Sequence, residues 1–114
     1  MQTKELLKMV ESVLDERKGQ NITVLDVIGK TSVTDFMVLA TSTSERYAKA
    51  LSDYVVEKVK ANGFMPLGVE GRQGSDWVLV DLGDVILHVM TAQAREFYQL
   101  EKLWSIDRAE ELIE

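Results

Sequence analysis

A β-hairpin is encoded in the stretch Asp76-Trp-Val-Leu-Val-Asp-Leu-Gly-Asp-Val-Ile-Leu-His-Val-Met90, where two runs of strand-forming residues flank Gly83-Asp84. Glycine at the first of two loop positions is typical of a type II′ hairpin turn. A two-residue loop also fixes which residues face each other across the strands. The stretch therefore predicts an antiparallel pair in which 76–82 lies beside 85–90.

The register of this hairpin divides its side chains between two faces. Leu82 opposes Val85 beside the turn, and side chains alternate between the faces from there onward. One face is wholly apolar and is predicted to face the core: Val78, Val80, Leu82, Val85, Leu87 and Val89. The other face mixes apolar and polar residues: Trp77, Leu79, Asp81, Ile86, His88 and Met90. On that face Trp77 is expected across from Met90, and His88 diagonal to Asp81.

Hydrophobic spacing predicts further elements before the hairpin. They are a helix from Thr3 to Lys18, paired strands at 22–28 and 35–41, a second helix ending at Asn62-Gly63, and a short extended piece at 65–71. Ser42 precedes Glu45 by three residues, which is the pattern of a capping box. Ser42 is therefore predicted as the N-cap of the second helix.

The chain after the hairpin is predicted to be helical. A helix from Ala92 to Leu103 would place Phe97, Leu100 and Trp104 on its inward side, because they stand at positions i, i+3 and i+7. Tyr98, Glu101 and Lys102 would then face elsewhere. The acidic residues 105–114 are expected to add a short helix as a C-terminal extension.

The size and composition of the chain exclude several classes of protein. At 114 residues it is expected to form a single domain with one hydrophobic core. It has no cysteine, which excludes a thiol nucleophile, a cysteine-ligated metal and a disulfide framework. His88 is the only histidine, so a histidine-rich metal site is excluded as well.

Charge and hydropathy point to the kind of partner. The net charge is −6, and residues 81–114 carry 8 acidic against 3 basic residues. This balance argues against sequence-specific binding of nucleic acid, which needs clustered Lys and Arg, and favours a basic protein partner. The longest apolar run, Phe36 to Ala40, is far too short to span a membrane, and a cytoplasmic location is expected.

Several functional hypotheses remain open on residue patterns alone. Asp81 and His88 could share a proton as an acid–base pair, but such a pair on a half-buried sheet face is more often a structural hydrogen bond. Asp81 and Asp84 could bind magnesium, although Asp84 is also favoured simply as a turn residue. The hydroxyl residues 41–44 could hold an anion, but helix capping is the simpler interpretation. Trp77 and Met90 suit either a covered core or the apolar centre of a protein interface.

The stretch 76–90, followed by Arg95-Glu-Phe-Tyr-Gln-Leu-Glu-Lys-Leu-Trp104, resembles the ribosomal silencing factor S family, also called Iojap-like. Earlier matches to the family are Asp35, Thr41-Ser-Thr-Ser-Glu-Arg46 and Gly68-Val-Glu-Gly71. The resemblance implies an α/β domain over 1–104 with a mixed sheet flanked by helices. That topology is related to nucleotidyltransferases, whose Asp-x-Asp motif has no counterpart here, so no catalysis and no cofactor are expected.

The resemblance also implies a function and a site. Members of the family bind ribosomal protein fourteen (uL14) of the large subunit and block joining of the small subunit when nutrients are scarce. We expect the contact on the hairpin and the last helix, with Trp77 as apolar anchor and His88, Tyr98, Glu101 and Lys102 around it. Association into a homodimer is the alternative use of an apolar face.

Overall fold

The computed structural model describes residues 2–71 and 75–105, the last three by their backbone alone. Its elements, in chain order, are α1 Thr3–Glu16, β1 Gln20–Asp26, β2 Phe36–Ser42, α2 Glu45–Ala61, β3 Gly68–Glu70, β4 Trp77–Asp81, β5 Val85–Thr91, α3 Ala92–Tyr98 and α4 Leu100–Ser105. The strands form one sheet in the order β1-β2-β5-β4-β3. Only β2 and β5 pair in parallel, so the sheet is mixed, as expected for an α/β domain.

The hairpin of β4 and β5 has the predicted register. Trp77 pairs with Met90 and Val78 with Val89, and the turn closes with a 2.9 Å hydrogen bond from Leu82 N to Val85 O. Gly83 has a φ of +84°, the left-handed conformation that a turn of this type requires. The sequence rule for two-residue loops is therefore confirmed at this site.

One face of the sheet carries the main core, against which α1 and α2 pack. The six residues predicted to face inward from the hairpin are all at most 1% exposed. They join the buried residues of the two helices: Leu6, Val10, Val13 and Leu14 from α1, and Ala48, Leu51, Val55 and Val59 from α2. Burial of this apolar surface is the main contribution to the stability of the domain.

The other face of the sheet has a smaller cluster, made of Leu25, Val27, Leu39, Met90 and Ala94. Ala94 is the buried residue of α3, so this short helix covers part of the face. Trp77 and Leu100 are partly buried against the same cluster. The face is therefore only partly covered at the start of β4.

The N-cap of α2 is Ser44, and the prediction of Ser42 was wrong. Strand β2 extends through Ser42, which pairs with Thr91 of β5. The hydroxyl of Ser42 donates to Ser44 O at 2.9 Å, while the Ser44 hydroxyl accepts from Tyr47 N at 3.0 Å. Pairing in the sheet holds Ser42 in the strand, so the helix begins two residues later than the capping-box pattern indicated.

The predicted helix 92–103 is divided at Gln99. This residue adopts the left-handed conformation (φ 50°, ψ 50°) and separates α3 from α4. The prediction that Phe97 faces inward was wrong, because Phe97 is 79% exposed. Helical spacing relates Phe97 to Leu100 only in an uninterrupted helix. The side chain of Trp104 and the predicted helix within 105–114 lie outside the described residues, apart from the backbone of Ser105.

Across the described ranges, no helix combines the length and the apolar character needed to cross a bilayer.

Candidate functional site

Three aromatic side chains form an exposed patch where α3 meets the start of β4. We call Trp77, Phe97 and Tyr98 the aromatic patch. The ring centroids of Trp77 and Tyr98 are 4.7 Å apart, and those of Phe97 and Tyr98 are 5.0 Å apart with an edge-to-face angle of 89°. Tyr98 is 48% exposed and Trp77 is partly exposed. Clustered exposed aromatic rings are typical of protein-binding surfaces.

The backbone of Trp77 is fixed by the loop that precedes β4. The Ser75 hydroxyl donates to Trp77 O at 2.9 Å and accepts from Trp77 N at 3.1 Å. Gly71 has a φ of +83°, and a Cβ placed there would lie 2.3 Å from Trp77 O. A side chain at position 71 would therefore displace the first residue of β4 and, with it, the anchor of the patch.

The indole of Trp77 is hydrogen bonded to His88. Trp77 Nε1 donates to His88 Nδ1 at 3.0 Å, with the ring planes tilted by 49°. His88 pairs with Leu79 in the hairpin, so it lies on the same face of the sheet as Trp77 and diagonal to it. The sequence-derived site residues Trp77, His88 and Tyr98 therefore form one contiguous group.

Burial keeps His88 neutral. The residue is only 5% exposed, and desolvation lowers its pKa to about 4 from the ordinary value of 6.5. Since Nδ1 accepts a hydrogen bond, the proton of the neutral ring resides on Nε2. That atom has no hydrogen-bond partner within the described part of the chain. His88 thus holds the indole of Trp77 through a hydrogen bond and exposes little of its own surface to a partner.

The acid–base pair considered for Asp81 and His88 is not built. Asp81 Oδ1 accepts from Gly83 N at 2.9 Å, so the carboxylate caps the hairpin turn while His88 bonds to Trp77. Asp84 Oδ2 accepts from the Thr3 hydroxyl at 2.7 Å. Within residues 2–71 and 75–105, no three acidic or histidine side chains are grouped to hold a metal ion. These carboxylates have structural hydrogen bonds instead.

A shallow groove of about 310 Å³ adjoins the aromatic patch. It is lined by Glu70, Gly71, Ser75, Asp76, Trp77, Leu79 and Tyr98. Two of these residues carry carboxylates, while the two aromatic rings form apolar walls. The combination gives an apolar centre with an acidic border, an arrangement suited to a basic protein surface.

Arg95 connects α3 and α4 to the sheet, a role that sequence patterns did not indicate. Its guanidinium donates to the hydroxyls of Thr23 and Thr41 at 2.7 and 3.0 Å and to the carbonyl of Asn21. It also forms an ion pair with Glu101 at 2.8 Å, although its own side chain is only 10% exposed. No local pattern relates residues so far apart in sequence. The one signal is an arginine in the last turn of a helix within an acidic segment.

The Arg95 contact determines the state of Glu101. Partial burial alone would raise the pKa of Glu101, but the hydrogen bond and the positive charge of Arg95 outweigh this effect and lower that pKa. Glu101 and Lys102 line a second depression of about 350 Å³ together with Arg95. The predicted site residues therefore lie in two adjoining parts, the aromatic patch with His88 and the first turn of α4.

Comparison with known proteins identifies the family. The model of the family described as ribosomal silencing factor during starvation matches residues 1–114. The chain belongs to the ribosomal silencing factor family. A ribosomal silencing factor of Haemophilus influenzae is 45% identical to it over 100 residues, which cover 88% of this chain and 98% of that protein.

Two further relatives support this assignment. The crystal structure of a Chromobacterium violaceum protein matches with a TM-score of 0.89 and 40% identity, covering 92% of this chain and 88% of that one. The mouse protein named mitochondrial assembly of ribosomal large subunit protein 1 is 32% identical over 88% of this chain and 45% of its own length. As a ribosomal silencing factor family member, the chain has a role in the regulation of ribosomes, and its fold is that of the family.

Proposed function

We propose that this chain binds the large ribosomal subunit through ribosomal protein fourteen (uL14) and blocks joining of the small subunit, repressing translation in the cytoplasm under nutrient limitation. The observation that carries the proposal is the aromatic patch, which presents partly exposed rings on a member of a ribosome-silencing family. Steric occlusion makes and breaks no bond, so the chain is not an enzyme in this mechanism and needs no cofactor.

The aromatic patch has the features of a binding hot spot. Trp and Tyr are enriched among the residues that dominate binding energy, particularly near the centre of an interface. Trp77 is already fixed by Ser75, His88 and Tyr98, so little further side-chain entropy is lost when a partner covers it. A contact of roughly 1,200–2,000 Å² around this centre is enough for a stable complex.

The charges around the patch suit a basic ribosomal protein. Glu70 and Asp76 border the groove beside Trp77, and Glu101 lies at the start of α4. The chain as a whole has a net charge of −6. Opposite charge on the partner accelerates encounter and fixes orientation, even where each rim contact adds little affinity. Lys102 is exposed at the same end and completes the proposed contact with Trp77, Tyr98 and Glu101, while the buried His88 takes part through Trp77.

Co-sedimentation with purified ribosomal subunits tests the proposal. Wild-type protein should sediment with isolated large subunits and not with small subunits, and Trp77→Ala should lose most of this binding. Val33→Ala is the matched control, because it also shortens an exposed apolar side chain (70% exposed). Val33 lies near the other end of the hairpin from Trp77, since Asp35, two residues later, donates its N–H to Asp84 O in the turn. Binding to purified ribosomal protein fourteen then identifies the partner.

Two outcomes would refute the proposal. Wild-type protein that sediments with neither subunit would remove the ribosome as target. Equal loss of binding in Trp77→Ala and Val33→Ala would remove the aromatic patch as the contact. Sedimentation equilibrium of both variants separates these outcomes from dimerisation, because a dimer interface on the patch would weaken self-association in Trp77→Ala alone.

A further inference from the structure

The polar atom of Trp77 is used inside the molecule. Its Nε1–H is directed at His88 Nδ1, 3.0 Å away, and its ring lies between His88 and Tyr98, with centroids 5.7 and 4.7 Å distant. Trp77 also packs against the smaller cluster and the ring of Tyr98, but these contacts are less directional than a hydrogen bond. The hydrogen bond with His88 therefore fixes the rotation of the indole.

His88 cannot make a substantial contact with a partner by itself. Its side chain is 5% exposed, and it is flanked in the sheet by Leu39 of β2 and Leu79 of β4. Any effect of His88 on binding must therefore pass through a neighbour that a partner does reach. Among its neighbours, Trp77 is joined to it by a hydrogen bond and belongs to the aromatic patch.

We propose that His88 is a positioning residue for partner binding: by accepting a hydrogen bond from the Trp77 indole N–H at Nδ1, it orients the ring and leaves an apolar edge and face for the partner. This inference rests on the proposed function and adds the chemistry of the contact. A partner that covers Trp77 needs no hydrogen-bond acceptor for its nitrogen, so the matching surface is apolar at that point. Loss of the acceptor would free the ring and leave a polar N–H to be desolvated on binding.

Two substitutions separate the acceptor of His88 from its bulk. His88→Phe keeps a planar ring and removes the acceptor. His88→Asn keeps an acceptor, because its Oδ1 is bonded to Cγ as Nδ1 is in histidine. Ile86→Ala is the matched control, since Ile86 is buried on the same strand and the same face but pairs with Asp81 rather than bonding to Trp77. Thermal denaturation followed by circular dichroism identifies variants that fail to fold. If His88→Phe does not fold, His88→Leu provides a second variant without an acceptor.

The first readout is the indole N–H itself. The chain has two tryptophans, so a Trp104→Phe background leaves Trp77 as the one indole signal in a ¹H–¹⁵N spectrum. This signal should exchange slowly with water in the wild type, His88→Asn and Ile86→Ala, and rapidly in His88→Phe. Rapid exchange in the wild type would overturn the inference, because the hydrogen bond would then not hold the ring.

The second readout is affinity for isolated large subunits. His88→Phe should weaken binding by roughly three- to tenfold, the cost of ordering one side chain and desolvating one donor, whereas His88→Asn and Ile86→Ala should stay within about twofold. Loss of binding in Trp77→Ala with unchanged binding in His88→Phe would overturn this inference but not the proposed function. Equal weakening in His88→Asn and His88→Phe would also overturn it. A wild type that does not bind would overturn the proposed function and this inference together.

Discussion

Tyr98, the last residue of α3, packs its ring against Trp77, the first residue of β4, with the two centroids 4.7 Å apart and the planes tilted by 51°. The aromatic patch is thus assembled from two elements that are adjacent only in the folded protein. Thr91, the last residue of β5, is also the N-cap of α3, and its hydroxyl accepts from Ala94 N at 3.2 Å. The direction of this short helix therefore determines whether the patch forms.

Removal of the Tyr98 ring should weaken binding to the large subunit. We expect Tyr98→Ala to cost about 1 kcal/mol or more of binding free energy, because Trp77 loses its packing partner and the patch loses area. Tyr98→Phe keeps the ring and should bind nearly as well as the wild type. Titration of labelled protein with large subunits measures both values. Wild-type affinity in a folded Tyr98→Ala protein would place the contact elsewhere.

Replacement of Gln99 by glycine should stabilise the domain. A non-glycine residue in the left-handed conformation is strained, and relief of this strain exceeds the entropic cost of glycine, for a net gain of about 0.5–1 kcal/mol. Gln93→Gly, at an exposed position inside α3, should instead destabilise by a similar amount. Urea denaturation measures both changes. The same sign of change in the two variants would show that Gln99 is not strained.

Loss of Arg95 should be strongly destabilising. Arg95→Ala leaves Glu101 and two threonine hydroxyls without their donor, at a cost of about 2–4 kcal/mol of unfolding free energy. Arg95→Lys should recover only part of this, because an ammonium cannot reproduce the fork of a guanidinium. The control is Arg46→Ala at the exposed start of α2, which should change stability by less than about 0.5 kcal/mol. Similar values for both alanine variants would contradict the assignment of Arg95 as the link between helix and sheet.

Stability should fall as the solution becomes acidic, in part through His88. Its pKa is lowered in the folded state, so between pH 6.5 and about 4 the unfolded chain binds the proton and the folded chain does not. Above pH 6.5 His88 is neutral in both states and does not lower the free energy of unfolding. As the pH falls to 4, protonation of the unfolded chain lowers the free energy of unfolding by up to about 3 kcal/mol. Glu101, whose pKa is also lowered, adds a loss in the same direction at lower pH.

His88→Asn isolates this contribution, because asparagine does not titrate while the other acidic groups remain. The difference in unfolding free energy between pH 7 and pH 4.5 should be smaller in His88→Asn than in the wild type. Urea denaturation at the two pH values gives this difference. An equal pH dependence in both proteins would mean that His88 is protonated in the folded state at pH 4.5.

Local patterns in the sequence predicted the hairpin well, because its turn and its alternation act over a few residues. Gly83-Asp84 was enough to place Trp77 across from Met90 and to identify the apolar face. The site is harder to predict, since it depends on contacts between distant residues. The register places both Asp81 and Trp77 diagonal to His88, and only the structure shows that the Asp81 carboxylate accepts from Gly83 N while Trp77 bonds to His88.

The largest differences between prediction and structure arise where tertiary contacts override a local signal. Pairing of β2 with β5 keeps Ser42 in a strand although its sequence context favours a helix cap. The guanidinium of Arg95 reaches Thr23 and Thr41 across the sheet, and no spacing rule connects them. The break at Gln99 likewise exposes Phe97, a residue whose apolar character alone favours burial.

The central claim is that occupation of the large subunit by this chain prevents the small subunit from joining. Light scattering on mixing the two purified subunits measures joining directly. Large subunits preincubated with wild-type protein should form markedly fewer joined ribosomes, whereas Trp77→Ala at the same concentration should leave joining close to the level without protein. Unchanged joining when the large subunits are saturated with bound wild-type protein would contradict the account.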